Sequence, residues 1–183
     1  MSKTEKFTDT AAFKIASIVI LSAIVTVFSI AVRIPVAPTR GYVNLGDVAI
    51  FFAAFIFGPV SAFLAGGIGT ALADLIGGYG HWALISFGIH GLQGFFAGIV
   101  YNIFVKTENR RDNIFLKSFF CFLAGAVVMV SGYFLAGLLM VGPGAALVEI
   151  PGNIIQNVAG IVGGMALKAA VEKAYPPVIY FRW

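Results

Sequence analysis

The chain contains apolar runs of about twenty residues, the length that crosses a hydrocarbon core as a helix. The run from Ala11 to Val32 carries a single charge, Lys14. Hydrophobic residues make up 60% of the sequence and charged residues only 11%, a balance that excludes a soluble domain. No polar stretch is large enough for an independent soluble core, so residues 1–183 read as one integral membrane domain. The first run exceeds a secretory h-region of roughly 7–15 residues and lacks a clear cleavage site, so it reads as a retained helix. Cys121 is the only cysteine, which rules out an intrachain disulfide and argues against a cysteine-based metal site.

Breaks in the apolar pattern predict six helices, near 11–33, 46–57, 60–77, 83–105, 114–141 and 145–174. Pro35 and Pro38 end the first, Gly58-Pro59 turns into the third, Gly77-Gly78 closes it, and Glu108–Asn113 and Gly142-Pro143-Gly144 supply the rest. The second helix is short for a crossing. It is expected to tilt little, to begin inside the Gly41–Gly46 loop, or to be partly re-entrant.

Lys and Arg accumulate on the cytoplasmic side of membrane proteins. Lys3, Lys6 and Lys14, then Lys106, Arg110, Arg111 and Lys117, then Lys168, Lys173 and Arg182 all fall on one side of a six-helix arrangement, and only Arg33 and Arg40 on the other. Both termini are therefore expected in the cytoplasm and the Pro35–Gly46 loop outside. The net charge of +4 is explained by this asymmetry, and no basic face interleaved with aromatics points to nucleic acid.

Polar side chains are expensive in hydrocarbon unless paired or facing a cavity. Ser86, His90 and Gln93 share one face of the fourth helix, and Glu149, Asn153, Gln156 and Asn157 share one face of the sixth. Together with Asn44, Tyr79, His81 and Trp82 they predict an externally open pocket, whose amides, histidine and flat aromatic walls suit a small polar ring compound. Other readings stay open. Asp47 fits a helix N-cap, Asp74 fits an ion pair with Arg33 or Arg40, the sixth-helix amides fit interhelical glue, and Trp82 fits an interfacial belt. Small-x3-small pairs at Gly94/Gly98, Gly160/Gly164, Gly132/Ala136 and Ala12/Ala16 either seal the bundle or present a docking face, with Ala12, Ala16 and Ala23 on neighbouring turns.

The chain has no P-loop, no H-E-x-x-H and no G-x-S-x-G, so it has neither that route to ATP hydrolysis nor the usual parts of an intramembrane hydrolase. An acid/base or metal set from His81, His90, Asp47 and Asp74, a channel, or a self-contained secondary transporter are the rival classes. Against the last, there is no three-helix inverted repeat.

The segment GYVNLGDVAIFFAAFIFGPVSAFLAGGIGTALADLIGGYGHWALISFGIHGLQGFFAG, followed by IPGNIIQN, resembles the substrate-binding S components of energy-coupling factor (ECF) vitamin transporters. The likeness extends over nearly the whole chain and is closest to the hydroxymethylpyrimidine/pyridoxine branch, with riboflavin next and cobalamin as a further alternative. It implies an all-α bundle of six transmembrane helices in a bacterial cell membrane. It also implies a non-enzymatic subunit without cofactor or metal of its own, which captures a vitamin outside the cell. The partners implied are a transmembrane T component and two cytoplasmic ATPase subunits that use ATP and Mg. By position, the resemblance assigns Asn44, Tyr79, His81, Trp82, His90, Gln93, Asn153, Gln156 and Asn157 to the ligand, and Ala12 and Ala16 to T-component docking. Ile20 and Val27 interrupt any longer alanine ladder.

Overall fold

The computed structural model describes residues 7–106 and 114–183. Lys3, Lys6, Arg110, Arg111, the side chain of Lys106 and the Glu108–Asn113 break lie outside the described residues. Among the described residues the six α-helices of eleven residues or more are α1 (Ala11–Ala31), α2 (Gly46–Ile56), α3 (Pro59–Gly77), α4 (Ala83–Lys106), α5 (Ile114–Met140) and α6 (Pro143–Ala174). Each boundary follows local chemistry. Thr10 caps α1 by accepting the Phe13 N–H at 3.2 Å. Gly58 (φ 97°) and Gly142 (φ 90°) take left-handed backbone immediately before Pro59 and Pro143, each of which opens a helix where its missing N–H has no partner to lose.

The linker after α1 is not irregular. Arg33–Val36 (β1) and Gly41–Asn44 (β2) pair antiparallel, with Arg33 opposite Asn44 and Val36 opposite Gly41. Pro35 is compatible with this ladder because a two-stranded hairpin consists of edges.

Five of the six helices are long and apolar enough to cross a membrane. The exception, α2, has eleven residues, or roughly 16 Å at 1.5 Å per residue, about half of a hydrocarbon core. All of its residues except Val48 are buried, so it is a central core helix wrapped by the longer ones. The outer surfaces of the long helices are apolar and exposed, with Leu84 and Leu139 each 87% accessible, as lipid-facing side chains must be.

Glycine sets the helix spacing. A Cβ at Gly160 would lie 2.5 Å from Asp47 Cβ, and one at Gly164 would lie 2.8 Å from Phe51 Cβ, so α6 lies directly against α2. A Cβ at Gly94 would lie 2.9 Å from the Ala62 carbonyl oxygen, and one at Gly98 would lie 2.7 Å from Pro59 Cα, which locks α4 to α3. These two small-residue pairs seal the bundle. Ala12, Ala16 and Ala23, by contrast, are exposed on α1.

The two ends of the bundle differ. At one end the hairpin covers the starts of α2, α4 and α6. At the other, a 3-10 helix (Pro176–Phe181) folds back beneath α2. There the Arg182 guanidinium donates to the Phe55 carbonyl, to Ala54 O at 3.1 Å and to Asn102 Oδ1, and it stacks 4.7 Å from the Tyr101 ring centroid. A cation on the last carbonyls of α2 satisfies groups that the helix cannot satisfy itself. Burial pulls the Arg182 pKa below its ordinary value. The Phe13 and Phe181 rings, 4.9 Å apart, bring the start of α1 to the same end.

Gly160→Ala should lower the thermal unfolding midpoint in detergent, with a loss on the order of 1–3 kcal/mol from overpacking. Gly144→Ala, where an added Cβ meets nothing within 4 Å, should leave the midpoint unchanged.

Candidate functional site

The polar residues of α4 and α6 meet at the hairpin end, organised around Asp47. This residue lies in the first turn of α2 but does not cap it. Leu45 occupies the N-cap position, and Asn44 Oδ1 accepts the Gly46 N–H at 2.7 Å. The Asp47 carboxylate, fully buried, turns inward. Its Oδ2 accepts from Gln93 Nε2 at 2.8 Å, and its Oδ1 accepts from Gln156 Nε2 at 3.1 Å and lies 3.3 Å from His90 Nδ1. The position at the positive end of α2 adds to the stabilisation of the negative charge.

The carboxylate only accepts, so the amide edges facing it must be NH2 groups. Gln93 Nε2 also donates to Asn157 Oδ1 at 2.9 Å, which leaves Gln93 Oε1 as the acceptor for His90 Nδ1 at 2.7 Å. His90 therefore carries a proton on Nδ1. Asn157 Nδ2 donates to the Asn153 carbonyl at 2.9 Å and contacts Met129 Sδ at 2.7 Å, and Gln156 Oε1 accepts the Asn44 N–H at 2.7 Å. The two stripes read from the sequence do face each other, but Gln93 and Asn157 are consumed in the network that joins them.

Above this network lies a narrow cleft whose cavity volume is about 20 Å³. It is bordered by β2 (Gly41, Tyr42, Asn44), α3 (Thr70, Asp74), Trp82 in the turn before α4, α4 (Ser86, His90), α5 (Met129, Tyr133) and α6 (Glu149, Asn153, Gln156). Trp82, Tyr133 and His90 form a continuous aromatic wall, with ring centroids 5.8 Å and 5.6 Å apart in succession. Ser86 Oγ and Tyr133 Oη share a 2.8 Å hydrogen bond. Gly41 is tightly placed: a Cβ there would lie 2.8 Å from Glu149 Oε1, so any side chain would push into the cleft wall.

The hairpin is fastened on both sides. Tyr42 donates to Asp74 Oδ1 at 2.7 Å. Burial, then the Asp74 hydrogen bond, pushes the Tyr42 phenol well above its ordinary pKa, so it remains a donor across physiological pH. Arg33 and Asp74 are joined through Tyr42: the guanidinium donates to Ala73 O at 2.7 Å and Ser29 O at 3.2 Å and stacks on Tyr42 and Tyr79 at 4.7 and 5.8 Å. Arg40 sits exposed at the hairpin turn. On the other side Thr39 donates to Glu149 Oε1.

Of the residues assigned to the ligand from sequence, the cleft brings together Asn44, Trp82, His90, Asn153 and Gln156. Gln93 and Asn157 lie in the Asp47 network, Tyr79 packs on Tyr42 at 4.7 Å, and His81 is exposed. Trp82 is 3% exposed, which places its indole in the bundle and not in an interfacial belt. Sequence reasoning missed Tyr42, Thr70, Met129 and Tyr133. Tyr133 could have been found as the polar member of an apolar span; Met129 carries no such signal. Among the described residues no group of three or more His, Cys, Asp or Glu side chains is arranged to hold a metal ion.

A helical membrane protein with a polar cleft beneath a hairpin, at the end of the bundle opposite its C-terminal segment, is the class these features define. The profile of the family described as ECF-type riboflavin transporter, S component, matches residues 10–173, and the chain belongs to this family. It is therefore a transporter subunit and not an enzyme. It is 38% identical over 155 residues, 85% of this chain and 99% of the relative, to a Pyrococcus woesei protein described as "Uncharacterized protein in gap 3'region". It is also 32% identical over 161 residues, 87% of this chain and 88% of the relative, to the thiamine precursor transporter HmpT of Lactococcus lactis subsp. cremoris (strain MG1363).

Asp47→Ala strands Gln156 Nε2 and takes one of two acceptors from Gln93 Nε2 and from His90 Nδ1, at roughly 1–3 kcal/mol for a buried group left unpaired. Its unfolding midpoint in detergent should fall well below that of Asn153→Ala, whose side-chain Nδ2 has no hydrogen-bond partner.

Proposed function

We propose that this chain is the substrate-capture subunit of an ATP-driven vitamin uptake transporter, binding a hydroxymethylpyrimidine- or pyridoxine-like compound in the cleft beneath the hairpin. The observation that carries the reading is a set of four buried polar atoms without partners, Asp74 Oδ2, Trp82 Nε1, Glu149 Oε2 and Asn153 Nδ2, all on residues bordering the cleft. Buried polar groups are almost always satisfied, and a cleft that collects four unsatisfied ones is suited to a ligand that completes them. The likeness to HmpT, a thiamine precursor transporter, supports a vitamin precursor. The family description supports riboflavin as a second reading, with the aromatic wall available for stacking.

In this reading α2, though too short to cross alone, is the sixth member of a six-helix bundle. The basic residues Lys14, Lys117, Lys168, Lys173 and Arg182 face the cytoplasm with both termini, and the hairpin opens outward. ATP and Mg act in two cytoplasmic ATPase subunits, reached through a transmembrane T component that docks on the face of α1 carrying Ala12 and Ala16. Both alanines are exposed, as that role requires.

The purified chain in detergent, stripped of co-purified small molecules identified by mass spectrometry, should bind one of hydroxymethylpyrimidine, pyridoxine or riboflavin stoichiometrically. The sequence holds two tryptophans, so Trp183→Phe leaves Trp82 as the sole indole reporter, and its fluorescence should change on titration. Absence of binding to all three in folded protein would overturn the reading. Ala12→Trp and Ala16→Trp should abolish uptake by cells while leaving binding by the purified chain intact; normal uptake in both would remove the docking face.

A further inference from the structure

The four unpartnered atoms are not equivalent, and the two carboxylates among them share a design. Asp74 comes from the end of α3 and Glu149 from the start of α6, so they approach the cleft from different helices. Each uses one oxygen to hold the hairpin: Asp74 Oδ1 accepts from Tyr42, and Glu149 Oε1 accepts from Thr39. Each leaves its second oxygen buried with no partner inside 3.5 Å, the Ser86 hydroxyl beside Asp74 being engaged with Tyr133. Asp74 is 2% and Glu149 6% exposed, so neither second oxygen is served by bulk water. Two donors with nothing to donate to, Trp82 Nε1 and Asn153 Nδ2, border the same space and are equally buried.

We propose that Asp74 and Glu149 are the specificity-determining pair of the cleft, each reading one hydrogen-bond donor of the ligand with the oxygen not engaged by the hairpin. This rests on the cleft being the ligand site, as argued above. The ligand class follows from the chemistry. An unpartnered carboxyl oxygen on each side calls for N–H or O–H groups at two separate positions of the ligand, and Trp82 and Asn153 call for acceptors such as ring nitrogens. The ligand is therefore a neutral or cationic ring carrying at least two donors. An anionic ring is rejected, because the described residues bordering the cleft include two carboxyl groups and no Lys or Arg to pair with it. The same two side chains hold the hairpin, so a ligand that fills both second oxygens settles the groups on which the hairpin rests.

The test pairs ligand analogues with protein variants, using isothermal titration of the full chain in detergent. The probes are hydroxymethylpyrimidine with its exocyclic amine, its deamino analogue, its O-methyl ether and a ring-carboxylate analogue. Against the wild type, each donor-deleted analogue should bind about 30-fold more weakly, the effect of stranding one buried polar group, and the carboxylate should not bind measurably. Asp74→Ala should erase the penalty for one donor-deleted analogue and Glu149→Ala the penalty for the other. Tyr42→Phe and Thr39→Val, which remove the hairpin contacts but keep both carboxylates, should preserve both penalties; a purely structural role for the carboxylates would not produce this split. Where the alanine variants do not fold, the analogue series on the wild type and on Tyr42→Phe decides the matter. Binding of the parent compound with both donor-deleted analogues within about threefold of it, or tight binding of the carboxylate, overturns the pair and leaves vitamin capture standing. Failure of folded wild-type protein to bind any pyrimidine, pyridoxine or riboflavin overturns vitamin capture and the pair together.

Discussion

A carboxylate inside a membrane bundle has no water to fall back on, and the requirement that Asp47 be satisfied governs the arrangement around it. Its partners come from α4 (His90, Gln93) and α6 (Gln156), and Gln93 passes the connection to Asn157 and so to Met129 on α5. Four helices are thus held in register by one acceptor. The close approach needed for these bonds exists only because Gly160 lets α6 pass directly over the Asp47 backbone. Polar satisfaction and small-residue packing depend on each other here: a larger residue at 160 would separate α6 from the carboxylate that Gln156 must reach.

This network forms the floor on which the cleft stands. Because Gln93 and Asn157 are saturated, they fix the neighbouring His90, Asn153 and Gln156, and the remaining polar capacity points upward to the hairpin. The division is chemical: residues below have every strong hydrogen-bonding atom assigned, whereas residues above retain unassigned ones. A site built in this way has a rigid base and a roof held by discrete polar contacts, since the hairpin is attached through Tyr42, Thr39, Arg33 and the Asn44 N–H and not through a continuous core.

The helix limits were legible in the sequence to within two residues because Gly-Pro and Pro-rich breaks in apolar runs have few other meanings. Facing stripes on α4 and α6 were legible for a similar reason, since polar residues at helical spacing in hydrocarbon must find each other. The hairpin was not: two prolines in a short polar linker obscure a ladder whose register depends on docking to α3 and α6. Asp47 was misread in part because a helix-start aspartate ordinarily caps its own backbone, and only the fold shows that Asn44 has taken that role. Asp74 was expected beside an arginine, whereas Tyr42 stands between them and turns an ion pair into a relay of ring and hydroxyl. His81 and Tyr79 share the loop before α4 with Trp82, yet only Trp82 turns into the bundle, a difference that loop position alone does not reveal.

The contact between α3 and α4 has a mechanical consequence. Gly66 and Gly67 on one helix, and Gly91, Gly94 and Gly98 on the other, bring backbone against backbone along most of the shared length, with carbonyl oxygens of His90, Phe87, Phe63 and Ala62 lying where side chains would otherwise be. Sliding one helix past the other would drive Cα atoms over those oxygens. The pair is therefore a stiff plate that can rotate or translate only as a unit, and large rearrangements of this subunit must hinge at the plate's margins, on the hairpin side and along α5 and α6.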